Sequence, residues 1–237
     1  MRYFILLAAF CCCTVSQAQN LTGKELLEKA IAFHDPDGKW KSFEGNFQVL
    51  METPNSSDRL STITMDNPNQ QFNLQVEKDG ASYAYTFDKQ SCKTTLNGST
   101  DISEADRKTY RLTCERGTMM RNYYTYLYGL PMKLNDPGTK LDPKVQTKTF
   151  KGKEYLVLKV DYEESVGKDV WYFYFDPNSY AMEIYQFYHD ESKNDGEYIL
   201  LKGLEEINGI KMPKTRAWYV NSDDRHLGTD ILQKTTK

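Results

Sequence analysis

Lys168-Asp169-Val170-Trp171-Tyr172-Phe173-Tyr174-Phe175, then Asp176-Pro177-Asn178-Ser179, then Tyr180-Ala181-Met182-Glu183-Ile184-Tyr185-Gln186-Phe187-Tyr188, reads as two strands around a turn. Trp, Tyr and Phe favour a pleated, packed surface. Pro177 presets φ for the second position of a β-turn, and Asp176 and Asn178 are good turn formers. The first strand is unusual because both of its faces are apolar or aromatic. Trp171, Phe173 and Phe175 lie on one side; Val170, Tyr172 and Tyr174 lie on the other. A strand buried on one face alternates with polar residues. This one does not, so each side needs its own cover.

Working outward, the neighbouring segments repeat the hairpin pattern. Val145 to Phe150 and Glu154 to Tyr162 flank Lys151-Gly152-Lys153, and Gly196 to Leu204 and Ile210 to Val220 flank Asn208-Gly209. A last strand covers Thr229 to Gln233. Toward the N-terminus, alternating strands are expected at Phe43–Glu52, Leu60–Met65, Phe72–Val76, Tyr83–Phe87 and Cys92–Leu96, with Asp79-Gly80 as a hairpin turn. The rhythm is an antiparallel meander, without βαβ units.

Helical patterns interrupt it. Thr22-Gly23-Lys24-Glu25 is a capping box, followed by the stripe Leu26, Leu27, Ala30 and Ile31; Pro36 ends this helix near His34. Ser103 to Tyr110 suits a short helix. A longer one is expected over about 116–128, carrying Met119, Met120, Tyr123, Tyr124, Leu127 and Tyr128, with Gly129 as a left-handed cap and Pro131 behind it.

The chain has 237 residues and a formal charge of −3, which argues against a nucleic-acid-binding surface. Residues 1–18 read as a secretory signal peptide: Arg2, the apolar run Phe4 to Cys13, and small residues before Gln19. Residues 19–237 are then expected to form a single exported domain. Cys11, Cys12 and Cys13 leave lipoprotein anchoring as the alternative, although Phe10 suits such a signal poorly. After cleavage only Cys92 and Cys114 remain, and a lone pair in an oxidising compartment most simply forms a disulfide; two buried thiols are the other reading.

Motifs for chemistry are sparse. The three histidines, His34, His189 and His226, lack metal-ligand spacing. His34-Asp35-Pro36-Asp37-Gly38 reads as a helix end and turn, and His189 as part of a polar loop. Ser165 is not in a nucleophile elbow, and no phosphate-binding glycine loop occurs. No catalytic residue, cofactor or metal is expected.

Three segments carry a family resemblance. They are Phe150 to Leu158, Trp171 to Tyr180 and Glu206 to Pro213. Together they resemble the lipoprotein-carrier (LolA/LolB-like) superfamily of Gram-negative periplasmic proteins. Most of the mature chain, including Asn122 to Pro131, is similar to an uncharacterised secreted family within or near it. The resemblance implies an α+β, mainly β fold: a curved antiparallel half-barrel with helices on its concave face. It also implies that the gap between sheet and helices takes lipid acyl chains, with transient membrane contact. No arginine is matched securely to the one that controls cavity opening in the carriers, and no lipoprotein-specific residue carries over. The resulting expectation is non-catalytic binding of a hydrophobic ligand. The ligand-facing residues would be Trp171, Phe173 and Phe175 of the aromatic strand and Met119, Met120, Tyr123 and Leu127 of the helix. A protein-interaction module with a packed core is the competing class, and an enzyme of unknown reaction the third.

Overall fold

The computed structural model describes residues 21–235. The expected signal peptide, with Cys11, Cys12 and Cys13, lies outside the described residues.

Local sequence accounts for the first helix, α1 (Gly23–His34). The Thr22 hydroxyl accepts from the Glu25 amide, and the Glu25 carboxylate accepts from the Thr22 amide at 2.8 Å. This reciprocal cap satisfies two amides that a helix start otherwise leaves unpaired. Leu26, Leu27 and Ala30 are buried against the sheet.

A first meander follows: β1 (Glu44–Thr53), β2 (Ser56–Asp66), β3 (Gln71–Lys78), β4 (Ala81–Asp88) and β5 (Ser91–Leu96). Each strand pairs antiparallel with the next. Alternation holds well: Phe47 and Val49, Ile63 and Met65, Leu74 and Val76, and Tyr85 and Phe87 are buried, with more exposed residues between them.

Helices α2 (Glu104–Thr109) and α3 (Cys114–Gly129) interrupt the strands. The second meander comprises β6 (Thr139–Leu141), β7 (Gln146–Phe150), β8 (Lys153–Tyr162), β9 (Val170–Phe175), β10 (Met182–Tyr188), β11 (Glu197–Ile207), β12 (Ile210–Val220) and β13 (His226–Lys234). Both β6 and β7 pair with β8. The two meanders join where β13 pairs with β1, Val49 opposite Leu232. The result is one open sheet of order β5-β4-β3-β2-β1-β13-β12-β11-β10-β9-β8-β6. It curves into a half-barrel around α1 and α3.

Two features differ from the sequence expectation. The short strand β6 was not anticipated, since three residues are too few to show a period. Gly129 does not take the left-handed cap; it is the last helical residue, and Leu130 follows in an extended conformation. Glycine is needed there for close approach, because a Cβ would lie 2.3 Å from the Trp40 ring and 2.6 Å from Lys133 Cγ.

Candidate functional site

The aromatic strand β9 divides cleanly between two environments. Trp171, Phe173 and Phe175 face α1 and α3 and join the main core. Tyr172 and Tyr174 join a second buried cluster on the opposite face, with Tyr155, Val157 and Ile184. That second face is covered by the protein itself. Phe150 of β7 packs edge-on to Tyr174, and Lys148 lies 4.0 Å above the Tyr172 ring. The phenols find acceptors: Tyr172 donates to Glu191 at 2.6 Å, Tyr174 to Gln186 at 2.7 Å and Tyr155 to Glu183 at 3.1 Å. Tyrosine suits such a face because its ring can be buried while its hydroxyl stays bonded.

On the concave side α3 is held at both ends. Cys114 at its start is bonded to Cys92 of β5, with 5.9 Å between the Cα atoms. At its other end the fully buried Arg216 of β12 donates to the carbonyl of Leu127 at 3.3 Å and to that of Pro213 at 3.0 Å. The last carbonyls of a helix lack intrahelical partners and attract a cation. No basic side chain occupies the last turn of α3, so the cation comes from the sheet. The guanidinium also lies 3.9 Å from the centre of the Tyr128 ring. Around it are Asp230, Tyr185 and Trp218; the indole N–H donates to Asp230 at 3.1 Å. Burial pushes the Asp230 carboxyl up.

Beside α3 a cleft of about 760 Å³ opens at one end of the half-barrel. Its apolar wall comes from Trp40, Met65, Phe72, Tyr126, Tyr162 and Trp171. These residues belong to separate parts of the chain, from the turn before β1 to the start of β9. The edge of the Tyr126 ring meets Trp171 with centroids 5.9 Å apart, and its hydroxyl bonds to that of Tyr162. Burial pushes the Tyr126 phenol well up and that of Tyr162 up to about 12. Both are therefore neutral over the physiological range. The rim carries charge of both signs, with Arg121, Lys89, Asp66 and Asp169 beside the ion pair of Lys133 and Asp136. His189 bonds Asp169 at 2.7 Å on this rim and is otherwise solvent-exposed. A polar rim above an aromatic floor, in a space of this size, has the form of a small-molecule site.

The residues expected from the sequence to face a ligand fall in three places. Trp171 lines the cleft. Phe173, Phe175, Met120 and Leu127 are buried in the core between α3 and the sheet, and Tyr123 stacks on Trp218 there. Met119 is about half exposed, its sulfur beside Arg116. The other cleft residues were not singled out by sequence reasoning. For Tyr126 a signal existed, since it lies between Tyr123 and Tyr128 on the same helix. Trp40, Phe72 and Tyr162 carried none, because each reads locally as a strand-end or turn aromatic.

An open antiparallel half-barrel with helices on its concave face is the architecture of the LolA superfamily. Two solved structures share it. The LolA superfamily protein NE2245 from Nitrosomonas europaea is 12% identical with a TM-score of 0.50, over 92% of this chain and 95% of that one. A DUF1329 family protein from Desulfovibrio piger is 9% identical with a TM-score of 0.51, over 90% and 91%. At such identities the likeness establishes the fold alone. The chain belongs to DUF6503, a family of unknown function whose model matches residues 1–234. No curated protein matches it.

Proposed function

We propose that this chain is a non-catalytic periplasmic binding protein for a hydrophobic ligand, a lipid or acyl chain. The observation that carries the reading is the cleft of about 760 Å³ between α3 and the sheet, floored by Trp171, Tyr126 and Phe72. Burying acyl chain on such a floor gains about 0.8 kcal/mol per methylene. The tyrosines suit binding better than proton transfer, because burial holds the phenols of Tyr126 and Tyr162 neutral. Trp171, at the cleft, would contact the chain first. The buried Phe173, Phe175, Met120 and Leu127 would meet a ligand only if α3 moved away from the sheet.

The test is titration of the folded protein with a long-chain fatty acid, following tryptophan fluorescence. Trp40 and Trp171 both line the cleft, so binding should shift or quench the emission saturably, and Trp171→Phe should remove much of the signal. Thr125→Glu sets a carboxylate among the cleft-lining residues of α3. It should weaken binding at least tenfold, because a charge desolvated by the ligand is costly. Failure of every acyl ligand to bind saturably would overturn the proposal and favour a protein-interaction module.

A further inference from the structure

At the opposite end of the half-barrel, the β1–β2 and β12–β13 turns border a second pocket, of about 360 Å³. Its lining includes Arg59, Lys78, Arg225 and His226, the hydroxyls of Thr53, Ser56 and Ser57, and no acidic side chain. In a chain of formal charge −3 this is a local reversal of sign. The four basic residues arrive from β2, the end of β3 and the start of β13 with its preceding turn. Only the folding of the sheet brings them to one pocket.

Their hydrogen-bonding state leaves donors available. Arg59 lies on the concave side of β2, in register with buried Ser61. One of its terminal nitrogens is 3.4 Å from the Tyr124 hydroxyl, and its buried Nε has no partner within the protein. Lys78 donates to Ser56 at 2.8 Å, which leaves two of its three protons free. His226 lies 3.0 Å from the Thr229 hydroxyl. The neighbouring acids are engaged or stand apart. Asp79 accepts from Ser57, Asp230 accepts from Trp218, and Asp223 pairs with Arg225 through a solvent-exposed contact at 3.6 Å. None of the three lines the pocket.

We propose that this pocket is an oxyanion site for a phosphate group, either free phosphate or the headgroup of a phospholipid. Guanidinium groups match the geometry of phosphate oxygens, an ammonium adds a point charge, and the hydroxyls of Thr53 and Ser56 supply further donors. A concave wall of one sign concentrates the field on a small anion. The site is separate from the aromatic cleft and does not depend on the binding reading given to that cleft.

The experiment titrates the folded protein with inorganic phosphate by calorimetry, alongside flotation with phosphatidylglycerol and phosphatidylcholine vesicles. Two variants are compared: Arg59→Met, and the double variant Lys78→Gln/Arg225→Gln. Arg59 is largely buried, so circular dichroism checks that its variant folds. The double variant changes one half-exposed and one exposed side chain and keeps the test valid if Arg59→Met does not fold. Saturable phosphate binding, weakened at least tenfold in the double variant and by added salt, supports a site for free phosphate. Binding confined to phosphatidylglycerol vesicles and lost in the double variant assigns the site to a lipid headgroup. Binding to neither probe, or binding unchanged in the double variant, overturns the proposal.

Discussion

Met182 donates its backbone N–H to Nε2 of His34 at 3.0 Å, joining residues 148 positions apart. The other ring nitrogen, Nδ1, lies 2.6 Å from the carbonyl of Lys211. Since a carbonyl can only accept, Nδ1 carries the proton and Nε2 is the acceptor. A neutral imidazole thereby clamps the end of α1 to both β10 and β12. A second proton would set an N–H against the Met182 amide. Burial, the largest influence, holds the His34 pKa down at about 4.

Stability should therefore depend on pH through His34. Its folded pKa of about 4 lies below the ordinary 6.5, so the unfolded chain binds a proton first as pH falls. The contribution is fully present above about pH 6.5 and is lost between there and pH 4. It amounts to roughly 3 kcal/mol at ~1.4 kcal/mol per pH unit. Urea unfolding at pH 7 and pH 4.5 measures it. His34→Gln should be less stable at pH 7 and flatter across this range, and a wild-type profile as flat as that of the variant would refute the clamp.

Arg216→Ala should cost about 2–4 kcal/mol, because the carbonyls of Leu127 and Pro213 lose a charged donor and the Tyr128 ring loses its packing partner. Arg216→Lys should recover only part of this loss, since an ammonium cannot reproduce the planar fork. Chemical denaturation of the two variants, with hydrogen exchange at residues 124–129, would show whether the C-terminal end of α3 loosens first.

Breaking the bond between Cys92 and Cys114 should free the start of α3 from β5. With a sequence separation of 22, the loop-entropy model gives about 3 kcal/mol. Cys92→Ser/Cys114→Ser should show a corresponding fall in the urea midpoint, and adding reductant should lower wild type but leave this variant unchanged. A double variant as stable as wild type would show that packing alone holds the helix.

At Gly117, α3 lies close against the sheet. A Cβ there would lie 2.8 Å from the Tyr85 ring and 3.1 Å from that of Phe87. Gly117→Leu should destabilise by about 1–3 kcal/mol through overpacking, despite the better helix propensity of leucine. Thermal melting is sufficient to detect the loss, and an unchanged or higher Tm would show that α3 can shift on the sheet.

The sequence by itself determined the elements whose causes are local. The Thr22/Glu25 box, the stripe Leu26, Leu27 and Ala30, and turns such as Asn208-Gly209 act within a few residues of one another. They marked α1 and most strands to within a few positions. The two-sided aromatic pattern of 170–175 likewise showed that both faces of β9 are covered. Which face meets the helices was a tertiary decision, because alternation separates Trp171, Phe173 and Phe175 from Tyr172 and Tyr174 without orienting either set. The pairing of β1 with β13 was tertiary too, joining strands at opposite ends of the chain. From that closure follow the Arg216 anchor on α3, the cleft that gathers Trp40, Phe72, Tyr162 and Trp171, and the basic pocket around Arg59. These sites are made of single residues from distant strands. Local periodicity carries no information about them, because the interactions that assemble them appear only when the sheet curves around its helices.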